Sequence, residues 1–296
     1  MELFVALNSA SGALGRESPE RRVAELCREA GREASVAVTR DLAALCESIQ
    51  RALEGGARTI LVGGGDGTLG RVAPLLLERD AALGVLPLGS FNHFARDLGI
   101  PLRLDDAVRT ALTGVASRVD VGEVNGRVFL NNASLGLYPS FVRLREQSEA
   151  RGPARWLVRL RAAVRALRRH REIVVRIRVG EVSTVHRTPI VMVGNNEYRA
   201  TGLELGTRAS LSGGRLAIYI VRGGGRRHVL RLAWRMLTNR VGDELEVLRA
   251  EAATLESRRP RLHVAMDGDV ETMAPPLEFR IRPAALRVLL PAEPRE

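Results

Sequence analysis

The chain has 296 residues, 45% of them hydrophobic and 4% aromatic, which is enough for one large core or two smaller ones. Its formal charge is +11 and all 45 basic residues are arginine, so the lysine-bearing phosphate loop is excluded. No apolar run approaches the ~18 uninterrupted residues of a membrane-spanning helix. In chain order, Met1-Glu2-Leu3-Phe4-Val5-Ala6-Leu7 enters a strand directly, with no basic leader and no cleavage site, and no secretion signal is expected. Strands are predicted over 3–7, 34–39, 58–62 and 83–88, and helices over 18–31, 41–54 and 68–79. Ser18-Pro19 marks the start of the first helix. Cys27 and Cys46 fall in helical segments and read as buried thiols of a reducing compartment, with no metal-site spacing.

Strands and helices alternating at this spacing imply a parallel sheet with right-handed crossovers. Such sheets bind ligands at the carboxyl ends of their strands. Three turns fall there: Asn8-Ser9-Ala10-Ser11-Gly12, the run Gly63 to Thr68, and Gly89-Ser90-Phe91-Asn92. The middle run places four glycines within five positions, Gly63, Gly64, Gly65 and Gly67. Bare backbone there is free to take conformations that side chains forbid, and its N–H groups can close on a phosphate at the positive end of the following helix. Asp66 adds one carboxylate, which suits a divalent cation or a hydroxyl beside phosphates. The residues equally allow a tight strand-to-helix turn with Asp66 as a helix cap.

After about residue 117 short strand-like runs take over, at 118–124, 127–132, 173–179, 182–186, 189–194, 215–221, 245–257, 261–266, 277–282 and 286–290. They predict a second, mainly antiparallel β-rich domain. Two basic amphipathic segments, 155–171 and 226–237, interrupt it and hold the chain's two tryptophans. Trp156 and Arg159 in the first, and Trp234 and Arg235 in the second, are membrane-contact candidates, because tryptophan and arginine suit a bilayer interface. The plainer reading is two surface helices with their apolar stripes on a core. No flexible linker separates the halves, so two apposed domains with a cleft are expected, and the tail from Pro291 is expected to be disordered.

Four segments resemble the bacterial diacylglycerol kinase and sphingosine kinase-related lipid kinase family. Asn8-Ser9-Ala10-Ser11-Gly12 resembles its Asn-Pro-x-Ser-Gly turn, and Gly64-Gly65-Asp66-Gly67-Thr68 matches its central motif. Pro87-Leu88-Gly89-Ser90-Phe91-Asn92-His93-Phe94-Ala95-Arg96 resembles its Pro-x-Gly-Thr-x-Asn-Asp-Phe-Ala-Arg segment, and Met266-Asp267-Gly268-Asp269 its Asp-Gly-Glu motif. The resemblance implies an α/β nucleotide-binding domain over 1–120, of the NAD kinase/diacylglycerol kinase type. A β-sandwich-like lipid domain over 121–283 would follow, and a strand over 284–296 would return to the first domain. It implies ATP, Mg²⁺ and phosphorylation of a hydroxyl on a diacylglycerol-like or sphingoid/ceramide-like lipid.

Carried over residue by residue, Asn8, Ser11, Gly12, Gly64, Gly65, Gly67, Thr68, Gly89, Ser90 and Asn92 border the nucleotide. Asp66 acts at the metal and phosphates, Asp269 is the general base, and His93, Asp120 and Asp267 belong to the active-site network. Four departures bear on this. Ser9 replaces proline, Ser90 replaces threonine, His93 stands where the family has an acid, and Asp269 is one methylene shorter than glutamate. The imidazole of His93 would then donate to phosphate or to Asp66. Acidic residues before the turn Ser212-Gly213-Gly214 are missing, which puts a structural cation site there in doubt. The expected partners are a lipid substrate and anionic phospholipid on the inner face of the membrane of a cytoplasmic, peripherally bound protein. The oligomeric state is open, a homodimer among the options. Alternatives are an NAD kinase, suggested by the shared glycine loop and by Asn195-Asn196-Glu197, and a non-catalytic homologue. Nucleic acid is not expected, for want of a docking motif.

Overall fold

A computed structural model describes residues 2–10, 18–77, 79–137, 172–201, 204–208, 210–222 and 245–292. The chain forms two compact units, Met1–Val121 with Arg282–Glu296, and Gly122–Ile281.

The first unit is an open α/β sheet. Its elements are β1 (Leu3–Asn8), α1 (Pro19–Glu29), β2 (Ala34–Thr39), α2 (Leu42–Glu54), β3 (Thr59–Gly64), α3 (Asp66–Leu76), β4 (Ala82–Pro87), α4 (His93–Asp97) and α5 (Leu104–Thr113). The parallel order is β2-β1-β3-β4, and the C-terminal half of β18 (Leu277–Leu290) continues it with Val288 opposite Leu83. β3 and β4 are apolar along nearly their whole length because both faces of the sheet are covered. The order reverses between β1 and β3, so the topological switch point lies at their carboxyl ends, Asn8 and Gly64.

The helices follow from apolar stripes and local start signals. Val23, Leu26 and Cys27 of α1 and Leu45, Ile49, Ala52 and Leu53 of α2 are buried at helical spacing. Pro19 occupies the first helical position of α1, where a missing N–H costs nothing. At α2, the Asp41 carboxylate accepts the N–H of Ala43 at 2.9 Å. The helix predicted over 68–79 begins two residues earlier, at Asp66, and ends at Leu76. Pro74 lies inside it, where its ring leaves one backbone hydrogen bond of the helix unmade.

The second unit is a β-sandwich. The end of β5 (Val115–Val124) pairs with β6 (Arg127–Phe129). One layer runs β18-β15-β8-β9, where β8 is Ile173–Val179, β9 Val182–Thr188 and β15 Ala252–Ser257. The other is antiparallel and six-stranded. It combines β7 (Asn132–Gly136), β10 (Ile190–Asn195), β13 (Leu216–Val221), β14 (Leu245–Ala250), β16 (Leu262–Met266) and β17 (Asp269–Met273), in the order β14-β13-β10-β7-β16-β17. β11 (Tyr198–Thr201) and β12 (Glu204–Arg208) form a separate hairpin. Phe129, Leu135, Val175, Ile177, Val193, Ile218, Leu255, Val264 and Phe279 fill the core of this unit. β8 alternates buried and exposed residues, as a strand with one wet face must.

Three strand expectations change. The run 127–132 is two strands with a break at Leu130-Asn131, and 245–257 is two strands parted at Glu251. The runs 277–282 and 286–290 form one strand, β18, in which Ala284 takes φ 51°. Ser11, Gly12, Trp156, Arg159, Trp234 and Arg235 lie outside the described residues. Among the described residues no helix is long and apolar enough to cross a membrane.

Candidate active site

In the first unit, the switch point gathers three of the predicted turns. Asn8 ends β1, and its side-chain amide donates to Thr68 Oγ1 at 2.9 Å while its carbonyl oxygen accepts Ala10 N–H at 3.0 Å. This ties the end of β1 to the first turn of α3. Thr68 is buried. α3 has Gly65 at its cap position and no side-chain cap, so the amides of its first turn face the carboxyl end of the sheet without a local side-chain acceptor. That is the physical form of an anion site.

The glycines are there for a different reason from the one the sequence suggests. Gly63, Gly64 and Gly65 are not among the residues with positive φ. They are crowded instead. A Cβ on Gly64 would lie 2.6 Å from Cβ of Thr68, and a Cβ on Gly89 would lie 2.4 Å from Cα of Gly65. The two glycine turns therefore touch backbone to backbone, which excludes a side chain at Gly89 and leaves a Cβ on Gly65 a tight 3.2 Å from the Gly89 Cα. Asn92 pins the second turn from inside. It sits in the left-handed region (φ 52°), accepts Gly89 N–H at 2.9 Å and donates to the Gly89 carbonyl at 2.9 Å. Ser90 is exposed at the tip of this turn.

Asp66 reaches across to the next helix rather than capping its own. Its two carboxylate oxygens accept the N–H groups of His93 at 3.1 Å and Phe94 at 2.9 Å, the first residues of α4. One carboxylate thus joins α3 to the amino end of α4. The expected donation from the His93 imidazole to Asp66 is replaced by the His93 backbone N–H. The ring stacks on Phe91, with centroids 5.5 Å apart and planes 5° from parallel. Asp120, 2% exposed, accepts Ala284 N–H at 2.8 Å and so holds the irregular point of β18.

In the second unit, Asp267 and Gly268 make a two-residue hairpin turn between β16 and β17, with φ 48° and 100° and Met266 opposite Asp269. Asp269 is half-buried at the start of β17. The Asp267 carboxylate accepts Leu130 N–H at 2.7 Å and Asn131 N–H at 2.8 Å. It therefore satisfies the strand break that the sequence did not reveal. Around the same break lie Asn195, which the sequence suggested only as part of an NAD kinase-like run, and Tyr198 and the buried Arg208, which it did not single out. Glu197, the residue that suggested an NAD kinase, pairs with Arg249, whose guanidinium holds its carboxyl below the usual range.

The chain is thus an open parallel sheet with glycine turns at its switch point, followed by an antiparallel sandwich. Residues 2–124 match the diacylglycerol kinase catalytic domain, and residues 144–290 match the YegS C-terminal NAD kinase beta sandwich-like domain. The two halves of the chain are thus similar, in order, to the diacylglycerol kinase catalytic domain and to the YegS C-terminal domain. It is 39% identical over 140 residues to a "probable lipid kinase YegS-like" protein of Enterobacter sp., 46% of each chain. It is 37% identical over 123 residues to the lipid kinase YegS of Escherichia coli, 40% of this chain and 41% of that one. These alignments span less than half the length of the curated relatives. A crystal structure of a diacylglycerol kinase from Bacillus anthracis shares the fold, with a TM-score of 0.72 at 17% identity over 98% of this chain and 96% of that chain.

Proposed function

We propose that the protein is an ATP-dependent lipid kinase that phosphorylates a hydroxyl of a diacylglycerol-like or sphingoid/ceramide-like lipid. The observation that carries this reading is the convergence at the switch point. Asn8, Thr68 and Asp66 meet there beside an α3 amino end that has no side-chain cap, and Gly65 and Gly89 bring two turns into contact. Phosphoryl transfer asks the protein mainly for positioning and charge stabilisation, and these groups supply both for a polyphosphate. Gly64, Gly65, Gly67 and Thr68 hold the phosphates in this reading, with Asn8, Gly89, Ser90 and Asn92 shaping the rim.

Among the described residues no three His, Cys, Asp or Glu side chains converge on a metal position. Mg²⁺ needs no such cage, because it is held by one or two carboxylates together with substrate phosphates. Asp66 is the carboxylate that fits. Bound with ATP, Mg²⁺ would neutralise charge on the terminal phosphates. Asp269 accepts the proton as the lipid hydroxyl attacks the terminal phosphorus and ADP leaves. Asp267 holds the turn that carries Asp269. The positive charge of +11 supports work at an anionic bilayer surface, as a peripheral protein.

Purified protein given Mg²⁺ and terminally labelled ATP, with diacylglycerol, ceramide or sphingosine in mixed micelles and NAD in parallel, tests the proposal. Label in the lipid fraction is expected. Label in NADP instead, or in neither product, would overturn it.

A further inference from the structure

We propose that Arg208 is a positioning residue for the Asp267-Gly268-Asp269 turn, acting through the single peptide unit that joins Leu130 to Asn131. The proposal rests on the reading of Asp269 as the base.

The break between β6 and β7 takes Leu130 and Asn131 out of any ladder, so their backbone groups need other partners. Asp267 takes both N–H groups, at 2.7 and 2.8 Å. On the opposite side, Arg208 Nη1 donates to the Leu130 carbonyl at 2.5 Å, and Asn195 Nδ2 donates to the same oxygen at 2.8 Å. The Asn131 carbonyl accepts Asn195 N–H at 2.9 Å and the Tyr198 hydroxyl at 3.0 Å. The Leu130 carbonyl and the Asn131 N–H belong to one peptide unit. That unit lies with a carboxylate at its N–H end and a guanidinium at its C=O end. Its dipole is aligned by both charges, and each charge is stabilised through it.

Arg208 is 6% exposed, at the end of β12. Besides Leu130, it donates to the Asn195 carbonyl and to Asn131 Oδ1, both at 3.1 Å, and its guanidinium carbon lies 5.9 Å from the Tyr198 ring centroid. A planar fork engaging several acceptors fixes direction as well as distance, which an ammonium on a flexible stem cannot reproduce. The chain from Arg208 to the base is short. The guanidinium fixes the 130–131 peptide, the peptide fixes the Asp267 carboxylate, and Asp267 is the first residue of the two-residue turn that ends at Asp269. Displacing Arg208 therefore moves Asp269.

The full chain is assayed with Mg-ATP and diacylglycerol micelles, and amide exchange is followed in the same samples. Arg208→Lys is expected to lower kcat by about 10- to 100-fold, to leave KM for ATP within about twofold, and to speed exchange at Asn131 and Asp267, whose N–H groups are bonded to the Asp267 carboxylate and the Asn132 carbonyl. Asp267→Asn is expected to do the same, and the double variant to be no slower than the worse single one, because both act on one peptide unit. Parental kcat in Arg208→Lys alongside an inactive Asp269→Asn would overturn the proposal, and so would additive losses in the double variant. Where Arg208→Lys fails to fold, Tyr198→Phe loosens the same segment by removing one bond to the Asn131 carbonyl, and the same split of kcat from KM, in smaller measure, is expected. If the parent transfers no phosphate to lipid, the kinase reading falls by itself and exchange alone decides. Faster exchange at Asp267, whose N–H is bonded to the Asn132 carbonyl, sustains the positioning role in the variant, and parental exchange overturns it.

Discussion

In the proposed reading Asp66 serves structure and chemistry together. Its carboxylate is the one proposed to face Mg-ATP, and it supplies the acceptor for the first two N–H groups of α4. Asp66→Ala is therefore expected to abolish phosphoryl transfer and also to cost about 1–2 kcal/mol, the scale of a lost helix cap. Melting followed by circular dichroism should fall by about 2–8 °C for a chain of this size, and activity should be absent at temperatures where the variant is fully folded. Unchanged melting would refute the structural half of this account, and retained activity the chemical half. Gly89 gives a second residue-scale test. A methyl group there would sit 2.4 Å from the Gly65 Cα and 2.7 Å from Asn92 Oδ1, and the Asn92 side chain is held by bonds to Gly89 itself. With no flexible atom to yield, Gly89→Ala should destabilise by about 1–3 kcal/mol, as overpacking does. By parting the two turns it should also weaken ATP binding measured calorimetrically.

Between elements, α1 and α5 are joined by one ion pair. Arg22 Nη2 lies 2.6 Å from Asp105 Oδ2, with both side chains about one-third exposed or less. The hydrogen bond from Arg22 holds the Asp105 carboxyl below its ordinary value, and Asp105 raises the guanidinium in return. A depressed acid contributes stability that is fully present above its unfolded pKa and is lost as pH falls through the folded one. Arg22→Gln should accordingly be less stable than the parent at neutral pH in urea titrations, with the gap closing as pH drops below about 4. The gap should also shrink in high salt, since the pair is partly open to solvent. An equal gap at pH 7 and at pH 3 would remove the pair from the stability of this contact. The elements legible in the sequence were those whose burial is continuous or strictly periodic, such as β3, β4, α1 and α2. α4 escaped because it has five residues, and α5 because its buried stripe is only Ala107, Val108 and Ala111. β17, polar and half-exposed, is a strand because β16 pairs with it. The break at Leu130-Asn131 depends on Asp267 and Arg208, 137 and 78 positions away, and no local pattern could show it. Arg208 itself is one arginine among 45 basic residues.

At the scale of the molecule, the α/β unit followed by a mainly antiparallel β-rich unit could be read from the change in strand spacing, the sandwich only from the family resemblance, and the glycine motif fell at the carboxyl ends of the parallel strands. Crowding of Gly64 against Thr68 and of Gly89 against Gly65, not freedom of φ, is what favours glycine there. Whole-molecule charge makes a separate prediction. A net charge of +11 carried wholly by arginine gives each basic group near an anionic bilayer about 1 kcal/mol. The attraction reaches only about 10 Å at 0.1 M salt. A peripheral protein held this way should float with vesicles containing phosphatidylglycerol at low ionic strength, remain behind with pure phosphatidylcholine, and be released as salt rises. Hydrophobic insertion would behave differently, because salt does not weaken it and zwitterionic lipid would serve as well. Flotation that ignores both salt and head-group charge would therefore place the attachment in apolar side chains, and failure to float at low salt would remove the bilayer from the role proposed for the arginines.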